Sequence, residues 1–130
     1  MKKRVLIIDD DARNIFALSA TLRSRAFECL SCMSAKEALQ LLNSDEPIDA
    51  ILIDMMMPDM DGYEAIPLIK NIDKRLATPV ISVTAQAMVG DREKCLEAGM
   101  DDYVSKPMKA KDLVELMERV VKAFPKLALE

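Results

Sequence analysis

Polar residues of a particular kind stand directly after the apolar, β-branched runs of this chain. Asp9-Asp10-Asp11 follow Val5-Leu6-Ile7-Ile8, Asp54 follows Ala50-Ile51-Leu52-Ile53, Thr84 follows Val80-Ile81-Ser82-Val83, and Lys106 follows Tyr103-Val104-Ser105. Carboxylates brought together in one crevice repel each other and gain proton affinity unless a cation neutralises them. An all-oxygen donor set without imidazole or thiolate suits a hard ion. Mg²⁺ fits best, with Mn²⁺ as an alternative, because it takes one or two protein carboxylates, several waters and a phosphate oxygen, whereas Ca²⁺ usually wants more protein oxygens and a dedicated loop. A carboxylate beside such an ion, with a hydroxyl and a lysine, is a kit for phosphoryl transfer: the carboxylate attacks phosphorus while the metal and the ammonium hold charge on the equatorial oxygens. Asp54, standing alone, is the candidate nucleophile. The pair Asp9 and Asp10 is better suited to the metal, one directly and one through water, with Thr84 hydrogen-bonding the phosphoryl group and Lys106 pairing with it.

These positions require a particular scaffold. The short uninterrupted runs Val5–Ile8, Ala50–Ile53 and Val80–Val83 have the pattern of parallel strands covered on both faces. Helical periods lie between and after them: Ile15, Leu18 and Leu22; Ala38, Leu41 and Leu42; and Leu113, Leu116, Met117, Val120, Val121 and Phe124. Ser34 with Glu37, and Asp61 with Glu64, are spaced as capping boxes, Gly99 is placed to close a helix, and Pro125 to stop the last one. With Cys29–Cys32 and Tyr103–Ser105 as edge strands, the chain reads as five βα units, an α/β doubly wound parallel sheet. In such a sheet the crevice lies at the carboxyl ends of the strands, where strand order reverses. Singly, each residue has a plainer role: Asp11 or a neighbour can cap a helix, Asp54 can be a loop acid, Thr84 a buried strand residue, Lys106 a surface charge. Their common position on one edge of one sheet favours the chemical reading.

Composition narrows the classes. The 130 residues are 51% apolar and 31% charged, which is globular composition and the length of one domain. Eighteen basic against 22 acidic residues give a net charge of -4, without a Lys/Arg block interleaved with aromatics, so direct nucleic-acid binding is not expected. Apolar runs of four or five residues are far short of a membrane span, and no adequate signal-peptide core follows Met1-Lys2-Lys3-Arg4, so neither membrane insertion nor export is expected and the cytoplasm is the default location. The absence of histidine excludes Ser-His-Asp and Cys-His catalysis and His-ligated zinc within this chain. Cys29 and Cys32 form a C-x-x-C, but on a strand residues three apart point to opposite faces, which argues against a redox or metal pair.

Taken in order, Ile7-Ile8-Asp9-Asp10-Asp11, Asp54-Met55-Met56-Met57-Pro58-Asp59-Met60-Asp61-Gly62, Val83-Thr84-Ala85 and Asp101-Asp102-Tyr103-Val104-Ser105-Lys106-Pro107 resemble the receiver domain of two-component response regulators, from Lys3 to about Phe124. The resemblance implies the flavodoxin-like strand order 2-1-3-4-5, a receiver domain over residues 1–124 and a tail, 125–130, whose Leu129-Glu130 could be an expression remnant. It implies that Asp54 accepts a phosphoryl group from a histidine on a sensor kinase or a histidine phosphotransfer domain, so that the missing imidazole lies on the partner. It further implies Mg²⁺ held by Asp10, Asp54 and the backbone carbonyl of Met56, with Asp9 supporting, and a switch in which the rotamer of Tyr103 follows Thr84. The readout would be the face of the fourth helix, fifth strand and fifth helix, roughly Ala87 to Phe124, with a phosphorylation-dependent dimer as one outcome and an unidentified downstream target. Family geometry also implies a cis Lys106–Pro107 peptide. The last motif is similar to receivers of hybrid kinases and phosphorelays, and the chain is expected to be either a stand-alone receiver or an excised one.

Some positions depart from the pattern. Ala26 stands where a helix-ending glycine is common, so a different turn geometry is expected there, Pro67 falls inside the third helix and should bend it or delay its start, and Lys109 opens the last helix where a better cap is usual. Met56 and Gln86, each two residues beyond Asp54 and Thr84, should flank a water attacking an acyl phosphate; Met56 offers that water no proton acceptor, which predicts slow self-dephosphorylation. Three rival readings remain. A flavodoxin-like flavin binder lacks its phosphate-cradling loop here, an aspartyl-nucleophile phosphohydrolase would need an acid where Met56 stands, and a docking-only pseudo-receiver would lack site residues that this chain has.

Overall fold

Hydrogen bonding between the apolar runs builds one parallel sheet. The computed structural model describes residues 3–84, 90–106 and 109–123. Its strands are β1 (Lys3–Ile8), β2 (Phe27–Cys32), β3 (Ala50–Asp54), β4 (Val80–Thr84) and β5 (Asp102–Ser105), in the order β2-β1-β3-β4-β5, as expected. Ile8 lies beside Cys32 and Ile53, and Asp54 beside Val83, so the carboxyl ends of β1, β3 and β4 are level. Strand order reverses between β1 and β3, which puts the crevice where Asp9 and Asp54 emerge. Edge strand β2 runs from Phe27 to Cys32, the whole segment that reads as a strand, and β5 begins one residue before Tyr103, at Asp102.

Helices cover both faces, which is why the central strands are predominantly apolar, buried Ser82 in β4 being an exception. Helix α1 (Ala12–Arg23) and α5 (Ala110–Ala123) enclose Val5, Ile7, Leu52, Ile81 and Val83 with Leu18, Leu22, Leu113 and Met117. On the other face α2 (Ala35–Leu42), α3 (Gly62–Lys70) and α4 (Asp91–Glu97) enclose Leu6, Ile8, Ile51 and Ile53 with Leu42, Ile66, Ile69 and Cys95. Cys32 belongs to this second cluster while Cys29 packs against the first, so the C-x-x-C does straddle the sheet, and both thiols are free.

The end signals work as their chemistry predicts. Asp61 and Glu64 form a reciprocal capping box, Ser34 Oγ accepts from Glu37 N at 3.1 Å, and Gly99 closes α4 at φ 112°. Asp11 caps α1 through Arg13 N, which removes it from the acidic cluster. Helix α3 begins at Gly62 and runs through Pro67, so the proline does not delay its start; the residue lies on the exposed face. The Lys109 carbonyl accepts the first bond of α5 from Leu113 N at 3.0 Å, whereas Val121's side chain, Phe124 and Pro125 lie outside the described residues. A one-turn 3-10 helix before β4 adds an anchor with no sequence signal: buried Arg75 donates to the carbonyls of Leu42 (2.9 Å) and Ser44 (3.0 Å), placing positive charge on the C-terminal end of α2.

Two backbone constraints give measurable consequences. Ala26 adopts φ 69°, so the turn after α1 keeps the left-handed geometry a glycine would take and bears the Cβ penalty. Ala26→Gly is expected to raise unfolding stability in urea by about 0.5–1 kcal/mol, the left-handed penalty net of glycine's extra unfolded-state entropy. Gly62 is the opposite case: a Cβ there would sit 2.3 Å from Met55 Sδ and 3.0 Å from Met55 Cα. Gly62→Ala should therefore cost about 1–3 kcal/mol in the same measurement, the usual range for overpacking.

Candidate functional site

The ends of β1, β3 and β5 deliver charged groups to one place. Asp9 follows β1 and Asp54 ends β3, both buried, while Asp10 is exposed at the rim; carboxylate oxygens of the three lie within 4.8 Å of one another. Asp9 is held by Asp11 N on Oδ1 at 2.9 Å and by Asn14 Nδ2 on Oδ2. Asp54 Oδ1 accepts from Met56 N at 3.0 Å. The Lys106 ammonium lies 3.6 Å from Asp9 Oδ2 and 3.6 Å from Asp54 Oδ2, so one cation bridges the two buried acids.

The electrostatics follow from that crowding. Burial pushes the Asp54 carboxyl up from its ordinary range; the Met56 N–H opposes this, Asp9 adds to it, Lys106 opposes it and Asp10 adds again. A carboxyl whose folded-state proton affinity exceeds its unfolded one contributes stability below its ordinary pKa and loses it as pH rises through the raised value. Above that raised value the ionised Asp54 is thus a cost carried by the fold.

Thr84 is buried at the last position of β4, and its carbonyl accepts from Lys106 N at 2.6 Å, tying the two strand ends together. Tyr103 lies on β5 beside Ser82, half-buried against the α2/α3/α4 cluster. Met56 is 63% exposed between buried Met55 and Met57. A cavity of about 90 Å³ is lined by Met55, Met56, Tyr63, Thr84, Lys94 and Cys95, among others. Pro107 and Gln86 lie outside the described residues, so the Lys106–Pro107 peptide and the second water-flanking position do too.

All four strand-end groups named from sequence therefore converge: the acids and Lys106 by direct distance, Thr84 through the backbone bond to Lys106. Asn14 was not anticipated. Its signal was available, because an amide in the first turn of the helix after β1 faces back toward the strand end. The donor set fits a hard divalent ion: all oxygens, two of the three acids buried, one at the rim where water can complete the shell. No helix among the described residues is long and apolar enough to cross a membrane.

Comparison with known proteins agrees with this geometry. Residues 5–118 match the family model described as the response regulator receiver domain. The chain is 40% identical over 115 residues to the signal transduction histidine-protein kinase BarA of Escherichia coli K12, covering 88% of this chain and 12% of that protein. It is 37% identical over 121 residues to hybrid signal transduction histidine kinase L of Dictyostelium discoideum, covering 89% of this chain and 7% of that one. The chain thus spans only a small part of these relatives. Among solved structures, the receiver domain of sensor histidine kinase PA1611 from Pseudomonas aeruginosa, with a magnesium ion in its active site cleft, superposes with a TM-score of 0.85 at 33% identity, covering 94% of this chain and 99% of that one. With strand order, site and family model in agreement, the chain belongs to the response regulator receiver domains, the signalling modules that accept a phosphoryl group from histidine kinases or phosphotransfer domains in two-component and phosphorelay systems.

Proposed function

We propose that Asp54 is the phosphoacceptor and that residues 1–124 act as a Mg²⁺-dependent switch, with 125–130 a tail outside it. The observation that carries this reading is the buried Asp54 carboxylate, clustered with Asp9 and Asp10 and faced by the Lys106 ammonium at 3.6 Å. An oxygen of Asp54 bonds to phosphorus as the nitrogen–phosphorus bond of a partner phosphohistidine breaks, its electron pair returning to the imidazole. Lys106 then exchanges a carboxylate for a phosphoryl oxygen, and the Thr84 hydroxyl donates to another. Asp10, Asp54 and the Met56 carbonyl would hold Mg²⁺, or Mn²⁺, with Asp9 supporting through water; bound there, the ion supplies positive charge against the phosphoryl oxygens.

Phosphorylation adds about 1.5 to 2 negative charges at one strand end, and a group that draws Thr84 inward favours the state in which Tyr103 follows it. The shift would be read on the face made by α4, β5 and α5, by a downstream target or a second phosphorylated copy. Likeness to histidine kinases, one of them named a hybrid kinase, supports a phosphorelay donor, a sensor kinase or a histidine phosphotransfer domain, and the proposal places the reaction in the cytoplasm. The only reaction the chain would catalyse is on itself. The alternatives fare worse: three acids occupy the place of a flavin phosphate loop, and Met56 that of a hydrolase's acid.

Intact-protein mass after incubation with acetyl phosphate and Mg²⁺ tests the assignment. One added phosphoryl mass, lost in EDTA and absent in Asp54→Asn, is expected; equal labelling of that variant would overturn it. Met56→Asn should release phosphate about two- to tenfold faster than native protein, the factor one added hydrogen bond to the attacking water provides. An unchanged decay rate would refute the role of this position in lifetime.

A further inference from the structure

Met56 is the most exposed methionine among the described residues, at 63%, while Met55, Met57, Met100 and Met117 are all buried. Its backbone N–H holds Asp54 Oδ1 at 3.0 Å, and the residue lines, together with Thr84, a cavity of about 90 Å³. That volume admits water, which occupies about 30 Å³ per molecule in the liquid. A thioether at such a place is chemically asymmetric in a useful sense: reduced, it is a weak acceptor that cannot orient a water; oxidised, it becomes a polar sulfoxide.

We propose that Met56 is a redox modification site at which a peroxide installs a sulfoxide, and that the new oxygen shortens the life of the phosphoryl group on Asp54. This rests on the phosphoacceptor assignment above. In the oxidation, a sulfur lone pair attacks one peroxide oxygen, the O–O bond breaks, sulfur loses two electrons, and the other oxygen leaves as water. In the hydrolysis, a cavity water donates a hydrogen bond to the sulfoxide oxygen, its own oxygen bonds to phosphorus, and the bond from phosphorus to Asp54 breaks. The electron pair returns to the carboxylate, and the protons pass to inorganic phosphate and solvent. A methionine sulfoxide reductase reverses the modification, the oxygen leaving as water while a dithiol becomes a disulfide. Buried Met55 and Met57, on either side in sequence, are shielded from the same oxidant, so of these three neighbouring methionines accessibility selects Met56.

The test treats the protein with hydrogen peroxide, maps each methionine by peptide mass, including the exposed Met33, and then follows decay of phosphoprotein formed with acetyl phosphate and Mg²⁺. Native protein oxidised at Met56 is expected to decay about two- to tenfold faster than untreated protein, the factor of one added hydrogen bond. Met56→Leu should show no change with peroxide despite oxidation elsewhere. Met56→Gln, which carries a fixed acceptor of similar length, should decay fast without peroxide. Oxidation at Met56 with unchanged decay, or acceleration that persists in Met56→Leu, would overturn the inference while leaving the phosphoacceptor reading intact. Absence of any phosphoprotein from untreated protein would overturn that reading, and the inference with it.

Discussion

Like charges held together at the end of a parallel sheet are the constraint around which this molecule is organised. Three carboxylates within 4.8 Å face one ammonium at 3.6 Å, an excess of negative charge that burial of Asp9 and Asp54 makes more costly. Two unit charges about 4 Å apart interact by about 4 kcal/mol at an effective dielectric of 20, so lysine alone does not balance the group. The backbone and side-chain donors around it, Asp11 N, Asn14 and Met56 N, soften the cost and fix the geometry. A divalent cation would neutralise what remains, and the all-oxygen donor set suits one.

The scaffold serves that arrangement. Level strand ends require the register in which Ile8 lies between Cys32 and Ile53 and Asp54 beside Val83, and register in turn depends on two largely apolar faces. The loop that leaves Asp54 must fold tightly enough for Gly62 N to reach the Met55 carbonyl at 3.2 Å, which leaves no room for a Cβ. At the opposite end of β4 and β5, Asp101 accepts from Val80 N at 2.7 Å and Lys70 at 2.9 Å, anchoring the strand whose far end carries Lys106.

Much of this was legible in the sequence, because the patterns involved are local. A β-branched run followed by an acid announces a strand end, and a serine or aspartate three residues before a glutamate announces a helix start; both held at β1, β3, Ser34 and Asp61. Long-range polar contacts were not legible. Arg75 looks like any charged residue, and only the fold brings it to the carbonyls at the end of α2, 33 residues away at Leu42. Asn14 and the Met56 N–H likewise acquire meaning from the strand ends they face. Ala26 shows the limit of residue preference, since the surrounding structure imposes a positive φ on an alanine.

If crowded carboxylates are the central constraint, removing one charge should help the fold when no cation is present. Thermal unfolding of native protein and Asp54→Asn, each in EDTA and in millimolar Mg²⁺, measures this directly. The account predicts that in EDTA the variant melts above native protein, and that Mg²⁺ raises the native midpoint while leaving the variant nearly unmoved. A variant that melts below native protein in EDTA, with Mg²⁺ shifting neither, would contradict it.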